Sequence, residues 1–504
     1  MRDINEVLAL QDINQKIYYL KKGRKTELPD AVKLYNDWNP NRHEIITDEE
    51  KYPKIKVTIK PEKKYTDPAT GKGHTDPEQK KLVDPNRIAL PIEQDIVNIQ
   101  TAFTVGTEPI LDCKPEPSEE GLLITLKQVF KKNKIKYQNK KAVRSWLAEQ
   151  EVAEYWYVVK DDGFWSKLKR KAAGIFGKSM PEYRLKSVLW SPFRGDKLYP
   201  FFDDNGDLVA LSREYKKKGL DDDETVCFMT VTKDMVYQWE LDSNWQDKGS
   251  FRHNFKKMPI IYMWRPEAYC EKIKTMRIRL EKLLSNYADC IDYHFFPILM
   301  LFGDVEQLSG ELKNRIVQLT GMSANAQYLT WNQVPETVKF ETETLLSQIY
   351  GLTNTPRISF DSLKGTGNAV SGVAFDYVFM STHLNVENLN ETVGEFMQRR
   401  VNFLISALGS LNSNLAEASE TIDVDVLMQP YRLEDLAEKI NTALKAKNGE
   451  LWSQKRAITF VGNIDNVMDE IEQIKEEQTE KQQNEISKQE QLAKFSNRNN
   501  QAVK

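Results

Sequence analysis

Three glycines within eight residues, Gly365, Gly367 and Gly372, lie in "SLKGTGNAVSGVAFDYVFM" and lead directly into apolar helical spacing. Glycine-rich loops that open a helix often cradle phosphates. A P-loop needs lysine and then a hydroxyl after its second glycine. Gly367 and Gly372 have the spacing, but Val373 and Ala374 follow. A dinucleotide fingerprint needs a third glycine where Val370 stands. Both phosphate chemistries lack the residues that would perform them.

Acidic runs are the next chemistry to weigh. "DDDE" at 221–224 and "FFDDNGD" at 201–207 could supply clustered carboxylates to a metal-dependent nuclease. Each sits beside a glycine, Gly219 or Gly206, where Asp and Asn turn chemistry explains the same letters. "DDNGDL" also lacks the spacing that ends in glutamate in an EF-hand. The five histidines (His43, His74, His253, His294, His383) have no metal-ligand spacing, and the four cysteines include no C-x-x-C pair. No catalytic group, metal or cofactor is expected.

The elements that must position the glycine loop follow from length and periodicity. A chain of 504 residues, 40% hydrophobic and 29% charged, is expected to form two to four domains. Its net charge of −3 excludes a generally basic nucleic-acid binder. The N-terminus has no signal-peptide core, and the longest apolar run, "FFPILMLFG" at 295–303, is half a membrane span and reads as a buried strand. Cytoplasmic assembly and no membrane contact are expected.

Residues 1–60 carry helical spacing broken by Pro29 and Pro40, and 61–86 read as a mobile Pro/Gly/Lys arm. Ile92, Ile96, Ile99 and Phe103 mark an amphipathic helix ended near Gly106, and a second helix spans about 120–150. Strands are expected in "EYWYVVK", "YRLKSVLWSP", "DLVALSREYK", "ETVCFMTVT" and "DMVYQWELD". The basic insert 164–178 reads as a hairpin excursion with a solvated face. Tyr269, Ile273, Met276, Leu280, Leu283 and Tyr287 predict a long amphipathic helix, followed by a strand–helix–strand excursion and an acid-led helix. The stripe Val373, Tyr377, Met380, Leu384, Leu389, Val393, Met397, Val401, Leu404 and Leu408 predicts one helix over about 370–408, on the order of 60 Å long. Ser453 is an N-cap candidate. The polar tail after about 480 reads as a fraying solvated helix or disorder.

Four segments in order resemble the portal proteins of tailed bacteriophages, of the siphophage type. They are "LPIEQDIV" with "TVGTEPI", "NFKKMPIIYMWRPEAYCEKIKTMRIRLEKLLSNYAD", "TPRISFDSLKGTGNAVSGVAFDYVFM" with its Ser371-Gly372-Val373-Ala374 core, and "SQKRAITFVGNIDNVMDEIEQIKEEQTE". The resemblance covers most of 86–480. It implies an α+β, predominantly helical fold: wing 87–265, stem helices 266–290 and 337–353, clip 291–336, tunnel loop 354–371, a long kinked helix returning to the wing over 372–427, crown 428–480 and a disordered polar tail 481–504. It implies a homo-oligomeric ring, usually of twelve subunits, at one capsid vertex of the virion. Double-stranded DNA is packaged and ejected through it. The terminase large subunit, a head-completion adaptor, and the major capsid and scaffolding proteins are its partners.

On that reading Gly365 and Gly367 bend the tunnel loop, and Gly372 lets the helix start approach a neighbouring subunit. Lys364, with Thr366 and Asn368, faces DNA. The stripe that opens with Val373, Tyr377, Met380 and Leu384 packs between subunits. The two stem helices, one balanced in charge and one acid-leaning through Glu336, Glu341 and Glu343, suit a wall that DNA slides past rather than binds. A surface loop with an incidental lysine is the plainer reading of the same letters. Two other functions compete: a metal-dependent DNA-processing enzyme using Asp221–Asp223, and a monomeric adaptor using the long helix as a docking surface.

Overall fold

Helices and antiparallel strands share the first half of the chain. A computed structural model describes residues 3–60, 62–66, 71, 73–160, 183–219, 222–294, 298–309, 316–329, 334–357, 379–429, 431, 436–462 and 467–501. Contacts divide the chain into two units, residues 1–359 with 379–431, and residues 360–378 with 432–504.

The first unit opens with α1 (Ile4–Ala9), α2 (Ile13–Lys22), α3 (Ala31–Trp38) and α4 (Glu44–Thr47). Asp3, Asp12 and Asp30 cap the first three by accepting backbone N–H bonds. Where the sequence reads as an arm, the chain pairs with itself: β1 (Ile55–Lys60) runs antiparallel to β4 (Gln79–Val83), and β2 (Lys63–Thr66) to β3 (Gly73–Asp76).

Next come α5 (Ile92–Val105), β5 (Ile110–Asp112), α6 (Glu120–Asn133) and α7 (Ile135–Glu149). The single helix expected over 120–150 is therefore two. Lys134 takes the left-handed conformation (φ 53°) and returns its N–H to the carbonyls of Phe130 and Lys131, which ends α6. No glycine or proline marks the break.

Every expected strand of the β region forms, as β6 (Glu151–Lys160), β7 (Tyr183–Trp190), β9 (Leu208–Lys218), β10 (Glu224–Thr232) and β11 (Met235–Leu241). They are joined by β8 (Lys197–Phe202), β12 (Trp245–Arg252) and β13 (Ile260–Trp264) in sheets of order β12-β11-β10-β9-β8 and β13-β6-β7. Pro200 sits in β8, an edge strand, where a missing N–H is tolerated. Side chains alternate between two cores. Phe201, Ala210, Phe228 and Trp239 meet Ile17 and Leu20 of α2, while Leu198, Leu211, Val231 and Val236 meet Ala153 and Trp190 of the smaller sheet.

A short 3-10 turn, Glu271–Ile273, leads into α8 (Lys274–His294), and α9 (Val334–Leu352) follows. The strand–helix–strand excursion expected between them is a two-stranded antiparallel ladder, β14 (Ile298–Ser309) and β15 (Ile316–Leu329), with Ile298 opposite Leu329 and Ser309 opposite Ile316. Ile316, Val317 and Thr320 are β-branched residues that favour the strand.

α10 (Met380–Leu411) supplies the central core, with α11 (Ala418–Thr421) and β16 (Asp425–Leu427) behind it. At a rise of about 1.5 Å per residue, its 32 residues span about 48 Å. Leu389, Val393, Met397, Val401 and Leu404 of the predicted stripe are all buried, with Leu408 at 7% exposure. Arg400 is buried in the same core, donating to Glu154 of β6 at 2.7 Å and to Asn139 of α7 at 2.6 Å.

In the second unit α12 (Leu436–Asn448), α13 (Gln454–Val461) and α14 (Val467–Gln501) follow one another. Ser453 caps α13, its hydroxyl accepting from the Arg456 N–H at 3.2 Å. Of the two readings of the tail, solvated helix or disorder, the structure has helix, through Gln501.

The buried pair makes a prediction. Arg400→Ala leaves the buried Glu154 without its partner and should cost about 3–5 kcal/mol in urea unfolding. Arg400→Met combined with Glu154→Leu should recover most of that loss. Equal losses in the single and double variants would show that packing, not charge, is what Arg400 contributes.

Candidate functional site

α5 carries two polar side chains two turns apart, Glu93 and Gln100, on a face that is otherwise buried. Each is the centre of a network: that of Gln100 joins the chain on both sides of the glycine-rich segment, and that of Glu93 holds α8.

Gln100 is fully buried. Its amide donates to the Thr353 carbonyl (3.1 Å), the Asn354 carbonyl (3.1 Å) and the Thr355 hydroxyl (2.9 Å), just beyond the end of α9. Its Oε1 accepts from the Asn385 amide of α10 at 3.0 Å, and that amide also donates to the Tyr269 hydroxyl at 2.9 Å. Tyr269 donates in turn to the Thr353 carbonyl at 2.6 Å, and Thr382 of α10 donates to the Asn354 carbonyl at 2.8 Å. Burial pushes the Tyr269 phenol up to about 12, so it remains a donor at neutral pH.

Asn354, left-handed at φ 47°, turns the chain off α9. On the other side Phe379 is buried against Phe103 of α5 with ring centroids 5.4 Å apart. Phe103 also meets His383 and Tyr431, at 5.7 and 5.6 Å. Residues 353–355 and 379–385 are thus fastened to one helix.

The second network neutralises α8. Arg277, buried, contacts Glu93 at 2.5 Å, Asp37 of α3 at 3.0 Å and Glu281 at 3.2 Å. Lys274 reaches Asp37, and His43 reaches Glu281 at 2.6 Å. Farther along α8, Glu281, Ser285 and Asp289 accept from the backbone N–H groups of Leu90, Ile88 and Asn86, and Asp292 accepts from the Asn86 amide. Arg277 and Glu281, expected on an exposed wall, are therefore internal fastenings, whereas Lys272, Arg279, Lys282 and Asp292 are exposed. On the outer faces Arg279 pairs with Glu341 at 2.8 Å, and Arg357 with Glu343 at 2.8 Å.

The expected site residues divide sharply. Lys364, Gly365, Thr366, Gly367, Asn368, Gly372, Val373 and Tyr377 lie outside the described residues, as does the insert 164–178. Met380 and Leu384 are on α10, 56% and 59% exposed. Asp222 and Asp223 are exposed in a turn closed by the Gly219 N–H on the Asp223 carbonyl, and Asp221 lies outside the described residues. Asp203 accepts from the N–H groups of Asn205 and Asp207, so "DDNGD" is also a turn. Among the described residues no three His, Cys, Asp or Glu side chains gather to hold a metal ion, and no helix is long and apolar enough to cross a membrane. The Gln100 hub escaped the sequence because its partners beyond α9 lie more than 250 positions away.

Two outcomes follow. Gln100→Ala strands buried carbonyls and the Asn385 amide, which should cost about 1–3 kcal/mol. It should also speed hydrogen exchange at Thr353–Thr355, and unchanged exchange there would refute the anchoring role. Burial pushes Glu93 from its ordinary 4.5 up to about 7, against the pull of Arg277. The folded state then holds an extra proton between those values, so this group's contribution to stability falls as pH rises through the window. Glu93→Gln should flatten that fall in unfolding measured from pH 4.5 to 7.

No curated protein matches the chain. Among solved structures, a chain from the virion of a native gene transfer agent particle is similar at 10% identity and a TM-score of 0.36, over 74% of this chain and 90% of that one, a likeness too low to carry weight. A family model described as phage portal protein, SPP1 Gp6-like, matches residues 18–484. Spanning nearly the whole chain, that match places the protein in the phage portal protein family, structural proteins at the portal vertex of the virion.

Proposed function

We propose that copies of this chain close into a ring, of twelve subunits as the family usually has, through which double-stranded DNA is packaged and ejected. The terminase large subunit docks on it during filling, and a head-completion adaptor afterwards. In this reading 87–265 is the wing, α8 and α9 are the stem helices, the β14–β15 ladder lies in the clip, 354–371 is the tunnel loop and 428–480 the crown.

The observation that carries the proposal is the double anchorage on α5. A loop that meets moving DNA must be free at its tip and fixed at its root, and the Gln100 hub and the Phe103 ring cluster fix residues on both sides of it. Lys364 at the tip, flanked by Thr366 and Asn368, offers one cation per subunit, enough for light, reversible phosphate contact. The pairing of Arg277, Lys274 and Arg279 of α8 with carboxylates supports the same reading, since a strongly basic wall would hold DNA by counterion release.

Met380 and Leu384 lie one turn apart on α10 and bury little within the protomer. A neighbouring subunit that covers what remains exposed gains about 1–2 kcal/mol for each side chain. Native mass spectrometry with negative-stain imaging should find closed rings with an axial hole for the parent chain. Met380→Glu with Leu384→Glu should abolish the rings while leaving the circular dichroism of the protomer unchanged. A parent that stays monomeric even with scaffolding protein present would refute the ring, and rings of the double variant would move the interface elsewhere.

A further inference from the structure

A groove of about 560 Å³ lies where β5 faces the junction of α6 and α7. Phe130, Ile135, Ile110 and Leu111 provide its apolar lining, with Ile110 47% exposed, and Tyr137 stands at its margin 61% exposed. Lys127, Lys131, Lys134 and Lys136 surround this lining, all exposed. Lys136 approaches Glu108 at 3.7 Å, whereas Lys127, Lys131 and Lys134 have no carboxylate partner among the described residues. The volume falls in the range of ligand-binding clefts.

Lys134 gives a second, independent sign. It occupies the left-handed cap between the two helices at φ 53°, ψ 47°, where glycine is favoured because it has no Cβ to strain. A side chain kept in a strained conformation on the wall of a cleft points to use of that side chain. Its ammonium joins three others around an apolar floor.

We propose that this groove docks an acidic segment of a partner protein, with apolar side chains seated on Phe130, Ile110 and Leu111 and carboxylates meeting the lysines. Charge complementarity selects the sign of the partner and steers its approach. The apolar floor selects a peptide over a nucleic acid, since a phosphate backbone would leave Ile110 and Phe130 uncovered. An amphipathic helix fits this chemistry, with apolar residues at i, i+3, i+4 and i+7 and glutamates elsewhere. Its lining shares no residue with the loop root.

The test is fluorescence anisotropy of the full chain with a labelled fifteen-residue helix, leucine at those four positions and glutamate at the rest. Binding should weaken at least tenfold with Lys131→Glu and Lys134→Glu together, and at least tenfold when alanine replaces the leucines of the probe. Lys134→Gly should bind the probe more weakly yet melt no lower than the parent, because it relieves the left-handed strain. Any one of these results would overturn the proposal: no binding by the parent chain, equal binding by the charge-reversal variant, equal binding of the alanine probe, or tighter binding of a twenty-base-pair duplex at the same lysines.

Discussion

A single buried amide fixes where the two sides of the glycine-rich segment meet. Gln100 is cut off from bulk solvent, so its donors and its acceptor must find partners inside the fold. Those partners are the chain leaving α9 and the first turns of α10, both satisfied at once only when Thr353–Thr355 and Asn385 lie together. Tyr269 and Thr382 close the same circuit. Buried polar circuits of this kind are costly when incomplete, which makes them selective for one arrangement. Two turns earlier on α5, Glu93 performs the corresponding task for α8 through Arg277. One helix therefore indexes α8, the end of α9 and the start of α10.

The apolar half of this design is legible in the sequence. The stripes of α5 and of α10 from Leu389 onward keep the helical period, the aromatic strands keep the alternating one, and burial follows both. Ser453 reads equally well, because a cap is a local device. What the pattern conceals is polar and long-range. Gln100 and Glu93 sit among apolar residues like any interruption of a stripe. "QRRV" places two arginines side by side on α10; the i,i+4 spacing marks Glu395 as the surface partner of Arg399, but nothing local tells that Arg400 is buried on Glu154. The break at Lys134 and the β14–β15 ladder escaped for a related reason. The first uses a strained lysine where glycine is the usual signal, and the second depends on pairing between separate segments.

The same distinction changes how charge is to be understood in the helices assigned to the channel. From composition, α8 looks like a balanced surface. In the fold Arg277, Glu281 and His43 are buried in one cluster, and Asp289 and Asp292 hold the incoming chain at Asn86. A net balance of exposed charge would have to be retuned whenever a partner changed. A balance achieved by internal pairing is tied to folding itself, and it persists in any assembly the protomer enters.

The stripe of α10 carries the argument one step further. From Leu389 to Leu408 it is taken up by the protomer's own core, leaving no apolar surface there for an adaptor to use. Met380 and Leu384 continue the same repeat and yet stand exposed, at the point where α10 emerges beside the anchored loop root. A monomeric adaptor built on the long helix would be expected to expose the middle of its stripe. The helix buries its middle and leaves apolar side chains exposed only toward its ends, Met380 and Leu384 at the start and Leu411 at the finish, and in the proposed ring the start is where a neighbouring subunit's loop and helix would lie. In the proposed ring the loop anchor and the subunit contact would share one short length of α10, so packing between subunits and the positioning of the loop would become the same mechanical problem.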